Sequence, residues 1–198
     1  MTTYILAGGN DQESIDFGPK VAKECRELIA KRNIYVLANY FATEPERRIS
    51  KHQAFEPWYK ENFVGSVIEV AKEDVFLEQV KRADVIFFHG GLTSRLVENM
   101  KQYSDIERYF IGKIVIGSSA GAGWLSSLCW SMNAREIVKG SGIVNVACIA
   151  HYGSLGNDRV QYKPEDWERV VGMVGQQAQQ EGLELVLIPE GEFVVFQT

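Results

Sequence analysis

A serine-centred turn and three histidines carry most of the chemistry this sequence can offer. Residues Gly117-Ser118-Ser119-Ala120-Gly121 fit G-x-S-x-G around Ser119. The apolar, β-branched run Lys113-Ile114-Val115-Ile116 precedes them and reads as a buried strand. Ala122–Leu128 follows and reads as a helix start. Strand, sharp glycine-flanked turn and helix form the setting in which a serine hydroxyl is lifted clear of the backbone as a nucleophile. The glycines let the turn close without a side-chain clash. The Ala120 N–H then points to where an oxyanion would form. A turn of this composition can also simply cap the helix or hold an anion.

A serine hydroxyl needs a base to become a nucleophile. His52 falls in a polar, amphipathic stretch and reads as a surface residue. His89 follows the apolar run Asp84–Phe88 and precedes Gly90-Gly91. His151 follows the strand-like run Ile143–Ala150. Both sit at strand tips, where an open parallel sheet binds its ligands. His151, downstream of Ser119, is the preferred base, and His89 is the alternative; chain order does not restrict such constellations. A carboxylate must orient the imidazole, and Glu136, Asp158 and Glu190 are candidates, with Glu136 lying between nucleophile and base in the chain. The Gly91 N–H could give the second oxyanion donor. The same loop is otherwise a plain turn ahead of a helix capped by Thr93 or Ser94. Arg159, Arg95 and Arg135 are the cations available to an acidic substrate group.

Other chemistries fit poorly. The three cysteines (Cys25, Cys129, Cys148) are widely spaced, which argues against both a disulfide framework and a zinc cluster. There is no P-loop and no G-x-G-x-x-G fingerprint, and Gly8-Gly9-Asn10 is too short to carry a nucleotide assignment. No metal or organic cofactor is expected. The net charge of −5 leaves no electrostatic footprint for nucleic acid. No apolar run has the length of a membrane span, and the sequence begins directly on a strand, so a cytoplasmic protein is expected.

The elements that must position these residues alternate. Apolar strands are expected at Tyr4–Ala7, Ile34–Leu37, Val67–Val70, Asp84–Phe88 and Lys113–Ile116. Helices are expected at Phe17–Lys31, Glu44–Phe63, Asp74–Ala83 and Thr93–Phe110. Beyond the elbow the pattern loosens into a turn at Gly140–Gly142, a strand at Ile143–Ala150, a helix at Pro164–Gln180 and two strands at Leu185–Ile188 and Phe193–Gln197. Continuous apolar strands between amphipathic helices are the signature of a mostly parallel sheet covered on both faces, a three-layer αβα sandwich. The 198 residues, 45% hydrophobic and 24% charged, suit one α/β domain spanning 1–198.

Three segments in order resemble a known group. They are Phe88-His89-Gly90-Gly91-Leu92-Thr93-Ser94-Arg95-Leu96, Ile116-Gly117-Ser118-Ser119-Ala120-Gly121-Ala122 and Ile149-Ala150-His151-Tyr152. They look like the successive motifs of the S51 family of serine peptidases, which contains the aspartyl dipeptidases (peptidase E) and the cyanophycinases. Leu187-Ile188-Pro189-Glu190-Gly191-Glu192 is similar to that family's strand near the C-terminus. The resemblance implies a class I glutamine-amidotransferase-like (flavodoxin-like) fold, Ser119 as nucleophile and His151 as base. It puts the acidic member on or near Glu136 and the oxyanion donors at Gly91 and Ala120. Serine at the elbow and Gly153 two residues after His151 argue against amidotransfer. The family's Gly-Gly-Asn-Thr loop reads Gly90-Gly91-Leu92-Thr93 here, and Arg159 falls near the place of the family's aspartyl-recognition run.

The expectation is a serine hydrolase of dipeptidase type, monomeric or homodimeric, acting on a small peptide held in part by Thr93 and Arg159. Its catalytic residues would be Ser119, His151 and Glu136. An esterase using the same triad, or a non-catalytic ligand-binding domain retaining the fold, are the alternatives.

Overall fold

The computed structural model describes residues 1–9, 11–12, 14–29, 33–157 and 160–198. In chain order its elements are β1 (Thr3–Ala7), α1 (Phe17–Ile29), β2 (Tyr35–Asn39), α2 (Arg48–Asn62), β3 (Val67–Val70), α3 (Phe76–Arg82), β4 (Val85–Phe88) and α4 (Thr93–Met100). There follow β5 (Ile114–Ser118), α5 (Ala120–Leu125), β6 (Ser126–Ser131), β7 (Glu136–Lys139) and β8 (Val144–Ala150). A two-residue hairpin, β9 (Gly156–Asn157) and β10 (Val160–Gln161), then α6 (Pro164–Glu181), β11 (Glu184–Ile188) and β12 (Phe193–Gln197) complete the chain.

The strands that read as continuous apolar runs are buried along their whole length. β1, β4 and β5 are buried at every position. No alternation survives in them because both faces are covered. They belong to a six-stranded sheet of order β12-β1-β5-β4-β2-β3, parallel except for β12, which runs antiparallel to β1. One face packs on α1 and α2 through Phe17, Val21, Cys25, Trp58 and Tyr59. The opposite face buries Leu6, Leu37, Ile86, Phe88 and Val115 together with α3, α4 and α5.

A second sheet was not foreseen. Its order is β11-β8-β6-β7, with only β7 antiparallel. Its inner face (Val144, Val146, Cys148, Val186, Ile188) joins the core of the first sheet. Its outer face packs on α6 through Trp167, Val170, Val174 and Ala178, which recur at helical spacing. The fold is therefore α/β with mostly parallel sheets flanked by helices, as expected, but with two sheets rather than one.

The reason lies at the end of α5. The expected helix through Leu128 stops at Leu125, because the Gly140–Gly142 turn folds back and occupies its carbonyls. Ser141 N–H donates to Trp124 C=O at 2.7 Å and Gly142 N–H to Ser126 C=O at 3.1 Å. A Cβ on Gly140 would sit 2.1 Å from the Ser126 carbonyl oxygen, so only glycine allows this approach. The chain then continues as β6. The expected helix Thr93–Phe110 also ends early, at Met100. Asp105 adopts a left-handed conformation (φ 53°), and a 3-10 turn at Ile106–Tyr109 follows.

Candidate active site

The turn at Ser119 is built by close backbone approach. Gly117, inside β5, leaves no room for a side chain: its Cβ would fall 2.5 Å from the Gly121 carbonyl carbon. A Cβ on Gly121 would fall 2.1 Å from the Phe88 carbonyl oxygen. Between these contacts Ser119 is held at φ 54° and ψ −109°, outside the regions a side chain normally tolerates. Strain of this kind costs on the order of 1–3 kcal/mol and persists only where the surroundings enforce it. Here the Ser119 N–H donates to the Ala7 carbonyl at 3.0 Å, and its carbonyl accepts the first helical bond, from Gly123 N–H.

His151 reaches the serine from the tip of β8. Its Nε2 lies 2.8 Å from Ser119 Oγ. Its Nδ1 lies 2.7 Å from Glu190 Oε1. A carboxylate on Nδ1 fixes the tautomer with its proton there and leaves Nε2 free to accept the serine proton. His151 leaves the strand in the left-handed region (φ 58°), and its N–H donates to the Gly8 carbonyl at 2.8 Å. The ring lies close against Gly9, where a Cβ would meet Cε1 at 2.2 Å. Gly9 C=O in turn accepts from Gly191 N–H at 3.0 Å. The Gly8-Gly9 pair, too short for a nucleotide loop, is thus a seat that gathers the tips of β8, β11 and β12.

Glu136 is not beside the histidine. It lies on the exposed face of β7, opposite Ser131, while Glu190 in the turn between β11 and β12 occupies the position expected of it. The physical reason is the unforeseen sheet: β7 is its outer edge, three strands away from β11, so position 136, although level with the end of β6 at Ser131, is carried sideways from the tip of β8. Asp158 and Arg159 lie outside the described residues.

Gly90 presses on the nucleophile from the other side. Its Cβ would stand 3.1 Å from Ser119 Cβ. Gly91, with φ 154°, carries an N–H that finds no acceptor among the described residues. The Ala120 N–H is the first of α5 and has no intrahelical partner. Gly91, Ala120, Ser119 and His151 open together onto a cavity of about 240 Å³. Its remaining wall includes Thr93, Cys129, Trp130, Met132, Cys148 and Ala150. Burial pushes the Cys129 thiol up to about 12 and the Cys148 thiol higher still, so both stay protonated. Arg95 pairs with Glu44 at 2.9 Å, and Arg135 donates to the Gln161 carbonyl; neither borders the cavity.

The other histidine tip is unlike the first. His89 is buried, stacked between Phe87 and Tyr40 with ring centroids 4.1 and 4.4 Å away, and its Nε2 lies 2.6 Å from Tyr59 Oη. Burial, then the nearby Lys51 charge, holds its pKa well below the usual imidazole range. His52 is half-buried rather than exposed, with Nδ1 3.3 Å from Tyr40 Oη.

Two residues of this region had no functional reading in the sequence. Asp11 is buried under the elbow, where its Oδ1 accepts from Ser118 Oγ at 2.7 Å. Burial raises its pKa to about 6, against the lowering effects of Ser118, His151 and Lys51. Lys51, on α2, donates to the Gly90 carbonyl at 2.5 Å and to Thr43 Oγ1 at 3.3 Å. A lone acid in a polar loop and one lysine on a charged helix give no sequence signal for such placement.

Among the described residues, no cluster of His, Cys, Asp or Glu is placed to hold a metal ion, and no helix is long and apolar enough to cross a membrane. No family model matches the chain, and no curated protein matches it. Solved structures share its fold, two of them as follows. One is a peptidase from an acI-B1 Actinobacterium, 19% identical, covering 100% of this chain and 84% of that one, with a TM-score of 0.65. The other is a putative peptidase E protein from Listeria monocytogenes EGD-e, 15% identical, covering 100% and 99%, with a TM-score of 0.64. The architecture is that of peptidase E, the class I glutamine-amidotransferase-like arrangement.

Proposed function

We propose that this protein is a serine hydrolase that cleaves a small peptide, of dipeptidase type, with Ser119 as nucleophile, His151 as base and Glu190 as the carboxylate that orients it. The observation that carries the reading is the continuous chain Ser119 Oγ–His151 Nε2, His151 Nδ1–Glu190 Oε1, at 2.8 and 2.7 Å. The peptidase fold of the two similar structures adds to it.

In this reading Nε2 takes the Ser119 proton as Oγ bonds to the scissile carbonyl carbon. The carbonyl oxygen becomes an oxyanion between the N–H groups of Gly91 and Ala120. The C–N bond then breaks, and the imidazolium returns its proton to the leaving amine. Water, deprotonated by the same Nε2, hydrolyses the acyl-enzyme and regenerates Oγ–H. Glu190 stays ionised and balances the imidazolium charge. Thr93 and the largely uncharged walls at Cys129, Trp130 and Met132 receive the acyl group's side chain, which suits a neutral residue. Arg159 remains the proposed partner of a substrate carboxylate.

The test is a fluorophosphonate probe followed by a dipeptide panel. Labelling of the wild type that disappears in Ser119→Ala is expected, with release of free amino acids from dipeptides. Hydrolysis of aryl esters but of no peptide would replace the peptidase reading with an esterase. Absence of labelling would leave a ligand-binding domain.

A further inference from the structure

We infer that Lys51 is a positioning residue for the oxyanion hole, acting through the Gly90–Gly91 peptide group. The inference rests on the hydrolase reading, in which Gly91 N–H is an oxyanion donor.

A trans peptide is planar, so the Gly90 C=O and the Gly91 N–H point in opposite directions from one rigid unit. The Lys51 ammonium sits 2.5 Å from the carbonyl end of that unit. The same ammonium reaches Thr43 Oγ1, and Leu92 N–H donates to Ala42 C=O at 2.9 Å. The loop is therefore tied on both sides of the peptide to the Ala42-Thr43 segment that follows β2. Gly91 is pressed on it as well: a Cβ there would lie 2.5 Å from the Ala42 carbonyl oxygen. With the carbonyl end fixed, the N–H end is fixed too, and Gly91 lines the cavity beside Ser119.

The cation does more than hold the plane. A charge on the carbonyl oxygen draws electron density from the amide nitrogen and makes the opposite N–H a stronger donor. The donor is strengthened where negative charge develops, without placing a mobile cation in the cavity. The charged and titratable groups around the Lys51 ammonium are Asp11 after β1, Glu44 and Arg47 ahead of α2, and His89 at the tip of β4. Burial outweighs the two carboxylates and lowers the lysine's pKa.

The experiment compares fluorophosphonate labelling rates of the full chain, because phosphonylation also places an oxyanion-like oxygen in the hole. Lys51→Met should label roughly 10- to 100-fold more slowly than wild type, somewhat less than the loss of a whole donor. Lys51→Arg, or propylammonium added to Lys51→Ala, should recover most of the rate; propanol should not. The wild-type rate should fall at alkaline pH as Lys51 loses its proton, and this limb should vanish in Lys51→Arg, which stays charged. Lys51→Met labelling at the wild-type rate would overturn the inference. So would a slow Lys51→Met that neither arginine nor propylammonium restores, since lost packing would then explain it. A wild type that does not label at Ser119 overturns the hydrolase reading itself, and the inference falls with it.

Discussion

His89 and His151 occupy the same kind of place in the chain, each at the end of an apolar strand beside glycine, yet they serve opposite ends. At His89 the backbone does not turn left-handed, and its N–H keeps the strand's pairing to Asn39 C=O. The ring consequently lands among aromatic side chains and is sealed from water. At His151 the backbone turns left-handed, its N–H leaves the second sheet for the Gly8 carbonyl of the first, and the ring swings between Ser119 and Glu190. A single backbone reversal separates a core imidazole from one that can exchange a proton. Proton chemistry at a strand tip depends on leaving the strand, not on ending it.

The contrast can be broken or sharpened by substitution. The largest effect is expected at the tip that opens on the cavity: Ser119→Ala or His151→Ala should abolish probe labelling and lower hydrolysis by roughly 10³-fold or more. His89→Phe should leave labelling in place; equal loss at both tips would erase the distinction. Next, Glu190→Gln should reduce hydrolysis by about 10²–10⁴-fold through loss of the tautomer-fixing charge, while Glu136→Gln should match wild type. A Glu136 variant as impaired as the Glu190 variant would restore the order expected from the sequence.

Two stability effects come after these. Asp11 has a folded pKa of about 6, above its unfolded value, so the native state holds the extra proton. Its contribution is complete below pH ~4 and is lost as pH rises through about 6, on the order of 3 kcal/mol. Asp11→Asn should therefore gain on wild type by about that amount between pH 4 and 7 in chemical denaturation. His89 has the opposite sign. Its folded pKa is depressed, so its contribution is present above ~6.5 and falls away as the unfolded state takes up a proton below that pH. His89→Phe should flatten the acid limb of the stability curve while costing about 1–3 kcal/mol near neutrality, because Tyr59 Oη loses its imidazole partner. A variant with the wild-type acid limb would show that His89 is not the group responsible.

What the sequence made legible follows the same physics. β1, β4 and β5 could be read because strands covered on both faces are unbroken apolar runs, and the elbow because its glycine-flanked serine stands between such a strand and a helix start. β6 could not. Ser126–Ser131 is also buried nearly throughout, so it has neither the alternation of a half-exposed strand nor the polar stripe of a helix. Without β6 and β7 there was no second sheet to carry Glu136 away, and chain order favoured it over Glu190. Glu190 was visible as a candidate, but its selection depends on Pro189-Glu190-Gly191 folding against Gly8-Gly9, a pairing of residues some 180 positions apart. Asp11 and Lys51 acquire meaning only through contacts of that kind.

The seat at Gly8-Gly9 also has a consequence in time. It is touched by His151 of one sheet and by Gly191 beside β12 of the other, while Ser119 hangs from the adjacent Ala7 carbonyl. Contacts so distant in sequence form late in folding, after the costly closure of long loops. The proton path through His151 is therefore completed only when both sheets have docked. In a refolding experiment, probe reactivity at Ser119 should lag behind the recovery of helical signal, making the serine a clock for the final assembly of the molecule.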